Sequence, residues 1–170
     1  MQMCAAFAAN RIEVKLVARA PEANQMSAAE LWRHYDVPEN FEIKQYQRPR
    51  GLRASDRFQI RAFRHERSSA SLCYTRGRDV TAPLLALMSG MSACVEVHTP
   101  PVTARERWSL SFVRAHPRGR LVMLTENLRM QYTRGLGFSD NHLIVAPDGV
   151  DPDRFHPTLP ASDARKCLGM

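Results

Sequence analysis

Apolar positions along the chain switch between two periods, and the switches divide it into short alternating elements. Residues 2–9 crowd Ala, Met and Phe ahead of Asn10, which predicts a helix closing near the asparagine. Residues 12–18 (I-E-V-K-L-V-A) alternate and predict a strand. Ser27 precedes Glu30 at the capping-box spacing, which predicts a short helix over 28–35. Further strands are predicted at 41–46, 71–75, 93–98, 120–125 and 142–146. After the second strand, Phe58, Ala62 and Phe63 share one helical face, and Arg57, Arg61 and Arg64 share another. Helices are also expected from Asp79 to Met88, from the Pro100–Pro101 pair to Ala115, and from Glu126 to Arg134.

Strands and helices that alternate at this spacing predict an α/β class protein. The expected architecture is a Rossmann-like three-layer sandwich with a parallel sheet. The segment from Pro147 onward carries Pro152, Pro157 and Pro160 and reads as extended chain or linker. No internal repeat or low-complexity tract interrupts the pattern.

Composition narrows the class. A chain of 170 residues fits one domain and buries a core without metals or disulfides. With 44% hydrophobic and 24% charged residues, it is not a disordered chain, a collagen or a coiled coil. Lys plus Arg number 24 against 17 acids, a net charge of +7 that favours anionic partners. Cys4, Cys73, Cys94 and Cys167 are widely spaced and form no C-x-x-C, which argues against a structural zinc site. Cys73 and Cys94 sit in apolar runs and are expected to be buried, reduced thiols, in keeping with a cytoplasmic protein. The longest apolar stretch, Ala82 to Val97, is broken by Ser89, Gly90 and Ser92 and falls short of the about 20 residues a membrane helix needs. The N-terminus has no basic head of a signal peptide.

Four stretches carry a family resemblance: Y-T-R-G-R-D-V at 74–80, E-V-H-T-P-P at 96–101, L-T-E-N-L-R at 124–129 and A-P-D-G-V-D-P-D-R-F at 146–155. Their order and spacing resemble the amino-terminal half of family-four glycosyltransferases, over about residues Asn10 to Phe155. The last stretch is the most specific; it resembles the P-N-G-V-D…F signature that closes the first domain, with Asp148 in place of the usual Asn. Asp also tolerates tight turns.

That resemblance implies the first half of a GT-B fold, with residues 1–157 as the acceptor-side domain and 158–170 as linker or tail. It implies a retaining transferase that moves a sugar from a nucleotide-sugar donor to an acceptor, with no metal and no cofactor beyond that co-substrate. It also implies missing material at both ends: a strand and Gly-rich turn before Met1, and a donor-binding domain after Met170. The loss of a central strand would leave two unpaired edges.

The candidate site residues follow strand ends, where open α/β sheets bind ligands. His98 corresponds to a His that contacts the transferred sugar in the resembling enzymes; a backbone-bonded strand-end His is the other reading. Arg76 and Arg78 are placed to reach acceptor phosphate or hydroxyl groups, and solvated loop arginines fit as well. Glu126 either faces the cleft or stabilises the first turn of its helix. Gly149 and Asp151 belong to the signature turn and read as shaping a hinge. No metal ligands are assigned.

One alternative stays open. Arg48, Arg50, Arg53, Arg57, Arg61, Arg64 and Arg67 crowd residues 48–67. A non-catalytic Rossmann-like domain would use that run to contact anionic lipid or nucleic acid. Peripheral docking at the inner face of a membrane fits the charge. Nucleic acid fits less well, because aromatics are few in the run and no known binding module is present.

Overall fold

The computed structural model of the chain describes residues 1–20, 26–47, 49–51, 53–77, 80–147, 149 and 160–169. Its elements are α1 (Gln2–Ala9), β1 (Lys15–Ala20), α2 (Ala28–Tyr35), β2 (Glu42–Gln47), α3 (Ala54–Glu66), β3 (Leu72–Arg76), α4 (Thr81–Met88), β4 (Ser92–Val97), α5 (Ala104–Ala115), β5 (Gly119–Met123), α6 (Glu126–Leu136), β6 (Leu143–Val145) and α7 (Ala161–Cys167). All strand pairs are parallel. The chain therefore has the expected α/β fold, with helices flanking parallel strands.

Among the described residues, six strands form two sheets, β1-β2 and β3-β4-β5-β6. No ladder joins the two among the described residues. In the larger sheet the register puts Ala93, Val95, Val97, Leu121, Met123 and Leu143 on one face. Leu87 of α4, Leu110 and Val113 of α5, and Leu128 and Tyr132 of α6 close over that face to make the main core. Each such Leu or Val removes enough apolar area from water to contribute roughly 1.5–3 kcal/mol. The opposite face carries Tyr74, Cys94, Glu96 and Val122; the ring of Phe7 in α1 meets Tyr74 edge-on, with centroids 6.0 Å apart. A smaller core joins α1 and α2 to the β1-β2 sheet around Cys4, Ala5, Val37 and Phe41.

Local chemistry sets the helix ends. Ser27 caps α2 in the expected box: its hydroxyl accepts from the Glu30 amide, and the Glu30 carboxylate accepts from the Ser27 amide at 2.7 Å. The helix expected from Pro100 begins instead at Ala104. Thr103 accepts from the Glu106 amide at 3.1 Å, and Glu106 accepts from the Val102 and Thr103 amides, so a second capping box overrides the proline pair. Gly137 closes α6 with φ 66°, the left-handed C-cap that glycine adopts without strain.

Two more expectations need correction. The tail is not wholly extended, because α7 forms at 161–167 with Asp163 in its first turn and Arg165 and Lys166 in its last, charges that complement the helix dipole. Cys73 and Cys94 are free thiols as expected but only partly buried, since β3 is an edge strand and Cys94 lies on the thinly covered face; Cys4 is the buried one. No described helix is long and apolar enough to cross a membrane.

Candidate functional site

β3 and β4 run parallel with Arg76 beside Glu96, so both strands deliver side chains near their carboxyl ends to one edge of the sheet. Within β4, Glu96 points away from the main core, opposite Val95 and Val97, and is still only 4% exposed. A buried carboxylate costs several kcal/mol unless it is hydrogen-bonded and paired. Here three side chains meet that demand. The Tyr74 hydroxyl donates to Oε2 of Glu96 at 2.6 Å. Arg76 Nε lies 3.0 Å from Oε1, and His98 Nε2 lies 2.7 Å from the same oxygen.

The protons can be assigned from these distances. Arg76 Nε is also 3.2 Å from His98 Nε2, and an arginine N–H only donates. The shorter contact gives the His98 Nε2 proton to Glu96. The Arg76 N–H is within reach of both groups: it approaches Nε2 of His98 at 3.2 Å and pairs with Oε1 of Glu96 at 3.0 Å. Burial, and after it the Glu96 carboxylate, push the Tyr74 phenol above its ordinary value of 10, so it stays a donor. The Arg76 side chain is 60% exposed, so water screens its pairing with Glu96.

His98 links this cluster to a cleft of ≈ 280 Å³. The cleft opens beyond the carboxyl ends of the strands and is lined by Gly77, Val80, His98, Thr99, Pro101 and Tyr132, among others. Its walls are mainly apolar, with His98, Thr99 and Glu106 as polar points. Glu106 is already engaged in capping α5. The Tyr132 hydroxyl donates to the Thr99 carbonyl at 3.1 Å and holds the rim. An apolar cleft with a few fixed polar groups, at this edge of a parallel sheet, suits a small polar ligand that stacks or packs one face.

A scan against protein-family models finds no match, and a search of curated proteins finds none.

Among the described candidates, the structure brings Arg76 and His98 into contact. Glu126 starts α6 and is exposed; its carboxylate pairs with Arg129, which also reaches Asp140 at 2.7 Å. That pairing draws the Glu126 carboxyl below its usual range and gives it a local structural role. Gly149 is exposed, with open space where a Cβ would stand. Arg78 and Asp151 lie outside the described residues.

Glu96 and Tyr74 were missed as site residues. The signal was present: an acid inside an otherwise apolar strand needs a partner, and only a neighbouring strand end supplies one.

A second basic feature lies on α3. Phe58, Ala62 and Phe63 face inward and Arg57, Arg61 and Arg64 are exposed, as the periodicity predicts. Arg57, Ile60, Arg61, Arg64 and His65 line a shallow depression of ≈ 350 Å³. The Arg61 guanidinium lies 5.9 Å from the centre of the Tyr46 ring, and His65 stacks on that ring at 5.5 Å. Arg48 of the same run lies outside the described residues.

Proposed function

We propose that the chain is the acceptor-side domain of a retaining glycosyltransferase that uses a nucleotide-sugar donor. The observation that carries this reading is His98, seated on the buried Glu96 and bordering a cleft at the carboxyl edge of the parallel sheet. The four motif stretches support it by their order and spacing.

In this reading His98 contacts the sugar in the cleft, and the apolar walls exclude water around it. Arg76 stays at the rim, its charge balanced by Glu96. The transition state is oxocarbenium-like, with a departing diphosphate, and needs positive groups on the donor side. The reading assigns those groups to a second domain. In this reading the residues of this chain form the acceptor-side wall of the site, and turnover also needs the donor-side groups. A cytoplasmic setting, peripheral to a membrane, fits such an enzyme.

The test is to incubate the purified chain with a panel of nucleotide sugars and candidate acceptors and follow nucleotide release. No sustained turnover is expected. Turnover that disappears in His98→Ala would mean that the chain carries a complete site.

One observation favours the alternative, a non-catalytic domain that contacts a polyanion through α3. Arg53 takes the N-cap position of α3 in the left-handed region at φ 57°, with no side-chain cap bond. Both the conformation and a cation at a helix N-terminus cost stability. An anionic partner would offset that cost. Salt-dependent binding to RNA or to anionic vesicles, lost when Arg57, Arg61 and Arg64 become Ala, would support it.

A further inference from the structure

We infer that Glu96 is the positioning residue of the cleft: it holds the His98 ring in the Nε2–H tautomer and leaves Nδ1 as a hydrogen-bond acceptor for the ligand.

The geometry leads there in three steps. Glu96 Oε1 lies 2.7 Å from His98 Nε2, and the Glu96 side chain is 5% exposed, so water does not compete for the bond. A carboxylate only accepts, so the proton between them belongs to the imidazole. In a neutral ring one nitrogen donates and the other accepts, which makes Nδ1 the acceptor. Nδ1 has no hydrogen bond to any described residue, and the His98 side chain is 33% exposed at the border of the cleft.

Tyr74 has a matching function on the other carboxylate oxygen. Its hydroxyl occupies Oε2 and keeps the carboxylate from rotating away from the ring. Arg76 supplies the opposite charge. The charged and titratable groups around His98 are therefore Glu96 on its own strand, Arg76 and Tyr74 from β3, Glu106 from α5 and Tyr132 from α6.

The consequence is a ligand preference. Arg76 pairs with Glu96, and Nδ1 of His98, which borders the cleft, is an acceptor. A hydroxyl or N–H donor is favoured there over a phosphate or carboxylate oxygen. A neutral hydroxylated ligand fits that chemistry. The inference concerns the free protein and stands apart from the transferase reading.

The experiment uses the intact chain labelled with ¹⁵N and long-range proton–nitrogen correlation of its histidine rings. The His98 signals are identified by their absence in His98→Gln. The expected result is one tautomer, Nε2–H, with an imidazole proton slow enough in exchange to be observed. A free surface ring shows a mixture and no visible N–H. In Glu96→Gln the carboxamide can donate to Nε2, so the Nδ1–H form should become populated. Tyr74→Phe should leave the tautomer in place and speed exchange of the Nε2 proton. Nδ1–H in the wild-type spectrum, or a fast-exchanging mixture of both forms, would overturn the inference even if the Glu96 variant failed to fold. Because no turnover is read, a failed transferase assay leaves this result standing.

Discussion

Tyr132 donates its hydroxyl to the carbonyl of Thr99 across 3.1 Å while its ring is 1% exposed. The bond ties α6 to the loop after β4, so one helix holds the rim of the cleft. Tyr132→Phe keeps the ring and removes the donor. The expected cost is about 1 kcal/mol in urea unfolding, with faster amide exchange around His98 and Thr99. Unchanged exchange there would show that the rim is held by other contacts.

The same residue makes a pH prediction. Burial, with a smaller contribution from the Glu106 charge, pushes the Tyr132 phenol from 10 up to about 12. The fold favours the neutral form, so the unfolded chain releases this proton first. Stability from this group is complete below pH 10 and is lost as pH rises from 10 towards 12. Stability measured over that window should fall less steeply in Tyr132→Phe than in the wild type. Equal slopes would contradict the assignment.

Much of the fold was legible in the sequence. The Ser27–Glu30 box, the alternation in the strands and the inward Phe58–Ala62–Phe63 face all depend on neighbours in sequence, where local rules apply. The start of α5 was misread because two prolines look like a helix opening, while the decisive partner of Thr103 was Glu106. The split into two sheets was not legible as a ladder pattern, since hydrogen-bond partners are set by the chain path in space. The same holds for the site. His98 and Arg76 stand out after strand ends. Glu96 reads as one polar position in an apolar strand until the β3–β4 register sets Tyr74 and Arg76 beside it.

Gly119 tests the packing of α5 on the sheet. A Cβ there would stand 2.3 Å from the Val113 carbonyl oxygen and 3.0 Å from Val113 Cγ1. Backbone atoms have little freedom to withdraw. Gly119→Ala should destabilise by about 2 kcal/mol or more, within the range for overpacked interiors. Thermal unfolding checks it, and a variant as stable as the wild type would mean that the β5 start shifts freely.

Cysteine reactivity should follow burial. Burial pushes the Cys73 thiol up to about 11, while Cys167 is exposed. At pH 8, alkylation should modify Cys167 quickly and Cys73 only after denaturation, as read by peptide mass spectrometry. Cys73 modified as fast as Cys167 would show that β3 opens in the native state.

The most direct test of the central claim is ligand mapping on the ¹⁵N-labelled chain. Nucleotide sugars and neutral saccharides are added in turn, then RNA and anionic vesicles. The cleft reading predicts saturable shifts of the Gly77, His98 and Thr99 amides with at least one sugar ligand, abolished in His98→Ala. Shifts confined to Arg57, Arg61 and Arg64 with RNA or vesicles, and none at the cleft with any sugar, would contradict it.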